Sequence, residues 1–431
     1  MTKQKIYIYW DESHFWGLLL LHALDAWNIP YQLMRGNEIA QGALTGKFSD
    51  ASKAEKNGSS LLIVPGGNAR LKAMRLGKAG IKAIRNFVAE GGTYLGFCGG
   101  AGLALTGGGL SLCPWTRKPF NDRLKHLVSG HLHLSLNEEN IFVPQELKNE
   151  RTETALLPVW WPGRFAEDDN PDVAVLARYK KPGTDLFVAD INIHSLPEET
   201  LADWENLYGI HFKPDFIQGN AAILTGAYGE GRYFISYPHL ETPASPQANH
   251  WLSFLLDTIL GQDVQKRPAI PQWDILNLPQ NFTHPALTDA RTAFLDILAT
   301  GQENFLLFWR NPWLLGWRRG IPGSGLTSLL ALTCEILRFH PTEEALLFWE
   351  KRNKAFSKNL ELFHKGFTGF LLAERLAMTL PSQPEIVPAK ALVDQRRALF
   401  GPPPCSGGLY AELVSDLEEL AGILFSTHGI T

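Results

Sequence analysis

Cysteine and histidine are the side chains of this sequence best placed for covalent chemistry, and their neighbours narrow what that chemistry is. Thr93–Phe97 is an apolar strand pattern, Cys98 follows it directly, and Gly99-Gly100-Ala101-Gly102 opens a helical pattern. A strand that turns straight into a helix over glycines is a nucleophile elbow. Side chains beside the bend would collide with strand and helix, and the residue at the bend is held where a substrate can reach it. The amide groups at a helix start favour the thiolate, the reactive form of cysteine. The same surroundings also suit a small buried cysteine, because free cysteine is among the most buried residue types.

A second element is Tyr237-Pro238-His239-Leu240-Glu241, directly after a glycine-rich hairpin pattern at Ala221–Tyr237. His239 offers a base for the Cys98 proton and an acid for a leaving amine, and Glu241 offers a carboxylate to hold the ring in one tautomer. Taken alone, His-x-Glu is common, and a turn histidine often does no more than cap backbone. A third element, Val64-Pro65-Gly66-Gly67-Asn68, is again a buried strand emptying into glycines. Backbone N–H groups at Gly66 and Gly67, with that of Gly99, would form an oxyanion hole for a tetrahedral intermediate. A plain strand-to-helix turn has the same sequence.

Positioning these residues requires strands that end at one edge of a sheet. Ile6–Trp10 and Leu61–Val64 read as strands, Gly17–Trp27 and Ala79–Ala89 as helices, and Thr93–Phe97 as a further strand, an alternation that builds a parallel sheet with helices on its faces. Residues 110–220 mix short β-type runs such as Val173–Ala177 and Leu186–Ile193 with turn residues, and predict an antiparallel insertion or sheet extension. Asn249–Leu260 is helical. Pro268, Pro271, Pro279 and Pro285 mark a change of composition. The expected organisation is an α/β domain over 1–265, a linker over 266–285 and an all-α domain over 286–431.

The order of strand, Pro-Gly-Gly, helix, Gly-Gly, strand, Gly-x-Cys-x-Gly and His-x-Glu resembles the class I glutamine amidotransferase superfamily. More narrowly, Val64–Gly67, the run from Ile84 to Cys98, and Gly229-Glu230-Gly231-Arg232 ahead of His239 resemble the amidotransferase-like domain at the N-terminus of fungal biotin protein ligases. The resemblance spans about residues 5–260 and implies a flavodoxin-like parallel sheet with Cys98 as nucleophile, His239 as base and Glu241 as its orienting partner. Members that hydrolyse glutamine usually carry Gln four residues after the nucleophile, where this chain has Gly102, so the resemblance implies cysteine chemistry at an amide without naming glutamine. It implies no biotin ligase either: the ligase's glycine-rich catalytic loop is not found, and Arg318–Gly323 is a poor substitute.

Composition limits the alternatives. A net charge of −4 supplies no basic field for a nucleic acid. With 45% hydrophobic and 19% charged residues the chain can bury a core. Cys98, Cys113, Cys334 and Cys405 form no paired ligand motif. No window is apolar enough to span a membrane, and the N-terminal residues read as a strand, so the expected location is the cytoplasm. No P-loop or dinucleotide fingerprint stands in a trusted context, so no cofactor is expected. His131 and His133 share a strand face without an evident third ligand, and no metal is expected. Arg164, in Trp160–Phe165, is a candidate carboxylate clamp against a simpler reading as packing. Phe305–Arg319 is aromatic with a basic end, suited to a membrane interface, a partner helix or, most simply, the core of the helical domain. The partners expected are a small amide substrate and a protein bound through the helical domain. The alternative to an enzyme is a silent binding module that retains the elbow.

Overall fold

Ile6–Tyr9, Leu61–Val64 and Thr93–Phe97 are buried along their whole length, as strands covered by helices on both faces must be. The computed structural model describes residues 5–44, 59–119, 128–147, 154–188, 191–208, 212–317, 321–379, 389–402 and 406–428. They divide into two compact units, Met1–Pro271 and Gln272–Gly429.

The first unit runs β1 (Ile6–Tyr9), α1 (His14–Ala26), β2 (Gln32–Met34), α2 (Gly36–Ala40), β3 (Leu61–Val64), α3 (Ala69–Ala89), β4 (Thr93–Phe97) and α4 (Gly99–Ala104). It continues with β5 (Thr116–Arg117), β6 (Val128–Leu136), β7 (Thr154–Trp160), β8 (Phe165–Ala166), β9 (Val173–Pro182), β10 (Phe187–Val188), β11 (Ile191–Asn192), α5 (Glu198–Tyr208), β12 (Ala221–Tyr228), β13 (Gly231–Ser236) and α6 (Pro246–Ile259). Strands β2-β1-β3-β4-β13 run parallel in that order. This is the flavodoxin-like order, with ligands expected beyond the carboxyl ends of the strands. Beyond β13 the same sheet continues antiparallel through β12, β9 and β6, with β7 and β10 both on β6 and β11 on β10. The β-rich stretch is thus an extension of the core sheet.

Helix α3 begins at Ala69, earlier than periodicity predicts, because Lys72 interrupts the apolar stripe and yet is completely buried. Its Nζ donates to the Asp11 carbonyl at 2.9 Å and the Ser13 hydroxyl at 2.6 Å, and lies over the Tyr9 ring. The helix breaks at Gly77, whose φ of 59° no neighbouring side chain obstructs.

The second unit contains α7 (Pro285–Glu303), β14 (Leu307–Asn311), β15 (Leu314–Trp317), α8 (Gly323–Arg338), α9 (Glu343–Thr379), α10 (Ala389–Phe400) and α11 (Gly408–His428). Its described residues form the expected run of helices, with one two-stranded hairpin, β14–β15, that the periodicity does not predict. Pro312-Trp313 folds the aromatic run back on itself, pairing Leu307 with Trp317. Leu307, Trp313, Leu314 and Leu315 are buried there. Arg318 and Arg319 lie outside the described residues. The 266–285 segment has no helix or strand before Pro285. In the first unit, Trp27 Nε1 donates to the Pro268 carbonyl at 2.9 Å and Arg267 grips Asp257 with two nitrogens. In the second, Trp273 Nε1 donates to Glu335 at 2.9 Å. No described helix is long and apolar enough to cross a membrane.

The turn from β4 into α4 lies directly on the end of β3. A methyl group on Gly100 would meet the Val64 carbonyl oxygen at 2.0 Å, and one on Gly99 would meet the Gly67 carbonyl oxygen at 2.0 Å. Gly100→Ala is therefore expected to lose about 1–3 kcal/mol of stability in chemical denaturation. Gly102→Ala, whose methyl meets only the Ala69 Cβ at 3.4 Å, should remain within about 0.5 kcal/mol of wild type. Equal losses would contradict the close contact at the bend.

Candidate active site

Cys98 stands at the carboxyl end of β4 with φ 46° and ψ −99°, a left-handed conformation that a non-glycine residue adopts only when its surroundings enforce it. The enforcement is visible on both sides. The Cys98 N–H donates to the Ser236 carbonyl at 2.7 Å, and its carbonyl accepts the Gly102 N–H at 2.9 Å. The residue is partly exposed, whereas Cys113 and Cys334 are buried.

Ser236 ends β13 opposite Phe97, so the chain leaving β13 passes beside the bend. Three residues on, His239 and Glu241 are both completely buried, with Nδ1 of the ring 2.7 Å from Glu241 Oε1. Backbone and side-chain bonds fix this turn. The His239 N–H donates to the Pro158 carbonyl at 2.9 Å, Ser236 Oγ to the Pro238 carbonyl at 2.6 Å, and Asn249 Nδ2 to the carbonyls of Leu240 and Thr242 at 3.0 and 2.8 Å. Trp160 Nε1 reaches Thr242 Oγ1 at 3.1 Å.

The other ring nitrogen, His239 Nε2, is buried and makes no well-formed hydrogen bond among the described residues. It is nonetheless close enough to the Cys98 sulfur for the pair to interact electrostatically. Burial works against a charged imidazole here. The Glu241 carboxylate and the Cys98 sulfur together outweigh it, and the His239 pKa is pushed up to about 10.

Gly66 and Gly67 approach from the end of β3. A methyl on Gly66 would lie 3.0 Å from both His239 Cε1 and Trp16 Cγ. Gly67 has φ 114°, and a methyl there would meet the Glu12 carbonyl oxygen at 2.2 Å. Neither Gly67 nor Gly99 donates its N–H to a backbone carbonyl among the described residues. Trp16 packs on His239 with centroids 4.6 Å apart, and Trp161 meets Trp16 edge-on at 5.9 Å. The expected Cys98, His239, Glu241, Gly66, Gly67 and Gly99 are thus brought to one edge of the sheet.

Other candidates go elsewhere. Arg164 donates to the carbonyls of Phe216 at 2.9 Å and Pro119 at 3.0 Å, and so serves the local packing. His131 bridges Asp185 at 2.8 Å and Ser245 at 2.9 Å, while His133 meets Thr154 at 3.2 Å. No group of three metal-type side chains occurs among the described residues. A cavity of about 350 Å³, lined by residues including Leu132, Lys181, His194 and Lys213, contains none of the six. Sequence reasoning missed Trp16 and Asn249. Trp16 sits in a helix so apolar that no position stands out, and Asn249 acts through backbone carbonyls, which leave no pattern in side-chain types.

The family described as biotin-protein ligase, N terminal, matches residues 52–106, which include Val64–Gly67 and the whole bend at Cys98. No curated protein matches the chain. Among solved structures, the chain is similar to PurLQS from Thermotoga maritima, at 15% identity over 60% of this chain and 100% of that one, with a TM-score of 0.36. It is also similar to a protein described as a GMP synthase subunit from Thermoplasma acidophilum, at 10% identity over 61% and 94% with a TM-score of 0.36. A third is a ThuA-like protein from Bacteroides uniformis, at 13% over 61% and 93% with a TM-score of 0.36. The α/β fold is given by the strand order β2-β1-β3-β4-β13, and the family match spans β3, α3, β4 and the bend.

Proposed function

We propose that this chain cleaves or transfers an amide through a thioester on Cys98. The observation that carries the reading is the state of His239. Its ring is completely buried, Nδ1 is locked onto Glu241, Nε2 has no hydrogen-bond partner among the described residues, and the ring lies within electrostatic reach of the Cys98 sulfur. In the proposed cycle the sulfur attacks the amide carbonyl and forms a C–S bond, and the carbonyl electrons move onto oxygen. The Gly67 and Gly99 N–H groups receive that oxyanion. His239 gives its proton to the departing nitrogen as the oxyanion collapses and the C–N bond breaks, then takes a proton from the water that attacks the thioester, whose C–S bond breaks to release the acid and return the thiolate. The tight seat of Gly66 against the imidazole and Trp16 keeps the ring from swinging away between the two steps. One feature favours the alternative of a silent binding module: Gly102 presents no side chain where a working glutaminase holds its substrate.

A glutamine-mimicking electrophile separates the two. The wild-type protein is expected to take up one label, seen by intact mass, with none on Cys98→Ser and a rate about 10²-fold lower on His239→Ala, the lower end of what a general acid–base group contributes. Labelling of wild type no faster than a free thiol would leave the binding module as the answer.

The His239 proton is also linked to stability. Its pKa lies above the ordinary 6.5 in the folded protein, so the protonated ring stabilises fully below about pH 6.5, and this contribution is lost as pH rises through about 10. The urea midpoint of wild type is expected to decline across that window, and to decline less in Glu241→Gln, which removes the leading cause of the raised value. A midpoint equally dependent on pH in both proteins would show that the carboxylate does not hold the proton there.

A further inference from the structure

Two tyrosines that the proposed cycle does not use end at the same edge of the sheet. Tyr237 directly follows β13 and Cys98 directly follows β4, in strands whose last residues, Ser236 and Phe97, are paired. Tyr237 also donates its N–H to the Ala222 carbonyl, which ties it to the start of β12. Tyr179 lies one strand further, on β9. Its N–H donates to the Asn220 carbonyl at 3.1 Å and its carbonyl accepts the Gly219 N–H at 2.8 Å, beside the same end of β12.

Both rings are buried, with relative exposures of 2% for Tyr179 and 3% for Tyr237, and both hydroxyls are without a hydrogen-bond partner among the described residues. Such orphans are rare, because burying a hydroxyl forfeits its bonds to water. Each hydroxyl is electrostatically coupled to the Cys98 sulfur, and Tyr179 is coupled to Tyr237 as well. Burial, the main influence on both, raises their pKa and keeps them as neutral O–H donors. The Tyr237 ring is clamped, with Phe165 tilted on one side at 4.4 Å and a methyl on Gly163 falling 2.3 Å from its Cε1.

We propose that the Tyr179 and Tyr237 hydroxyls form a recognition subsite beside Cys98 that takes a neutral polar group of the substrate, such as an amide or hydroxyl, and disfavours a carboxylate. This rests on the reading of Cys98 as the nucleophile. Neutral donors match a neutral acceptor. An anion is better met by a cation than by two neutral donors. Arg117 acts on the Tyr237 hydroxyl more strongly than the sulfur does, but its side chain is exposed, and solvent screens it from a group held at the buried rings.

The test compares three reagents on Cys98 by intact mass: iodoacetamide, which is a neutral amide, iodoacetate, which places a carboxylate on the same reactive carbon, and methyl methanethiosulfonate, which carries neither group. Rates are taken relative to glutathione. In wild type the preference for iodoacetamide over iodoacetate should exceed that of glutathione about tenfold. Tyr179→Phe and Tyr237→Phe should each slow iodoacetamide about tenfold, with the methanethiosulfonate rate unchanged. Because each change removes an unsatisfied buried hydroxyl, the melting temperature of the free variants should stay level or rise. The subsite is overturned if wild-type Cys98 reacts fast but the double Phe variant retains its preference, if both reagents slow together, or if the variants melt lower. If wild-type Cys98 reacts no faster than glutathione with any reagent, the nucleophile reading itself fails and takes the subsite with it.

Discussion

Backbone meets backbone where β3 and β4 end, and the rest of the first unit is arranged around that contact. Gly99 and Gly100 lie against Val64 and Gly67 so closely that no side chain fits between them. The contact bends the chain sharply enough to hold Cys98 in a left-handed conformation, and it sets the Gly67 and Gly99 amides next to one another. Close packing of this kind transmits small displacements directly, since an interior at crystal-like density has no slack to absorb them. The position of the sulfur is therefore a property of two strand ends, and the side chain of Cys98 contributes little to it.

The second support is polar. Lys72 inserts a buried ammonium beneath the turn that follows β1, where the Asp11 carbonyl and the Ser13 hydroxyl receive it. That turn supplies the Glu12 carbonyl against which Gly67 rests. Opposite, Asn249 holds the His239–Glu241 turn through two carbonyls. A buried charge and a buried amide thus fix the turn against which Gly67 rests and the turn that carries His239.

Much of this was legible in the residues. Strands that are apolar throughout, glycines at each strand end, and the order of Cys98 and His239 along the chain all follow from rules that act locally. The sheet extension was harder to read because its strands are short, as at Phe187–Val188 and Ile191–Asn192, and pair across long separations. The β14–β15 hairpin escaped because Phe, Leu and Trp suit a helix interior as well as a strand, and only Pro312 marks the reversal. Lys72 was hidden for the opposite reason, since a lysine on a helix reads as a solvent-facing residue. Tyr179 and Tyr237 look like core aromatics in sequence, and what sets them apart is that their hydroxyls have no hydrogen-bond partner among the described residues.

The parallel pairing of β13 with β4 has a consequence for how the protein comes into being. Phe97 pairs with Ser236, so the edge that carries Cys98 has its neighbour supplied only after the whole antiparallel stretch has been synthesised. Contacts that close so large a loop form slowly. During translation the bend and its thiol are complete in sequence long before His239 emerges to stand over them, and the nascent chain carries an exposed sulfur beside an open sheet edge.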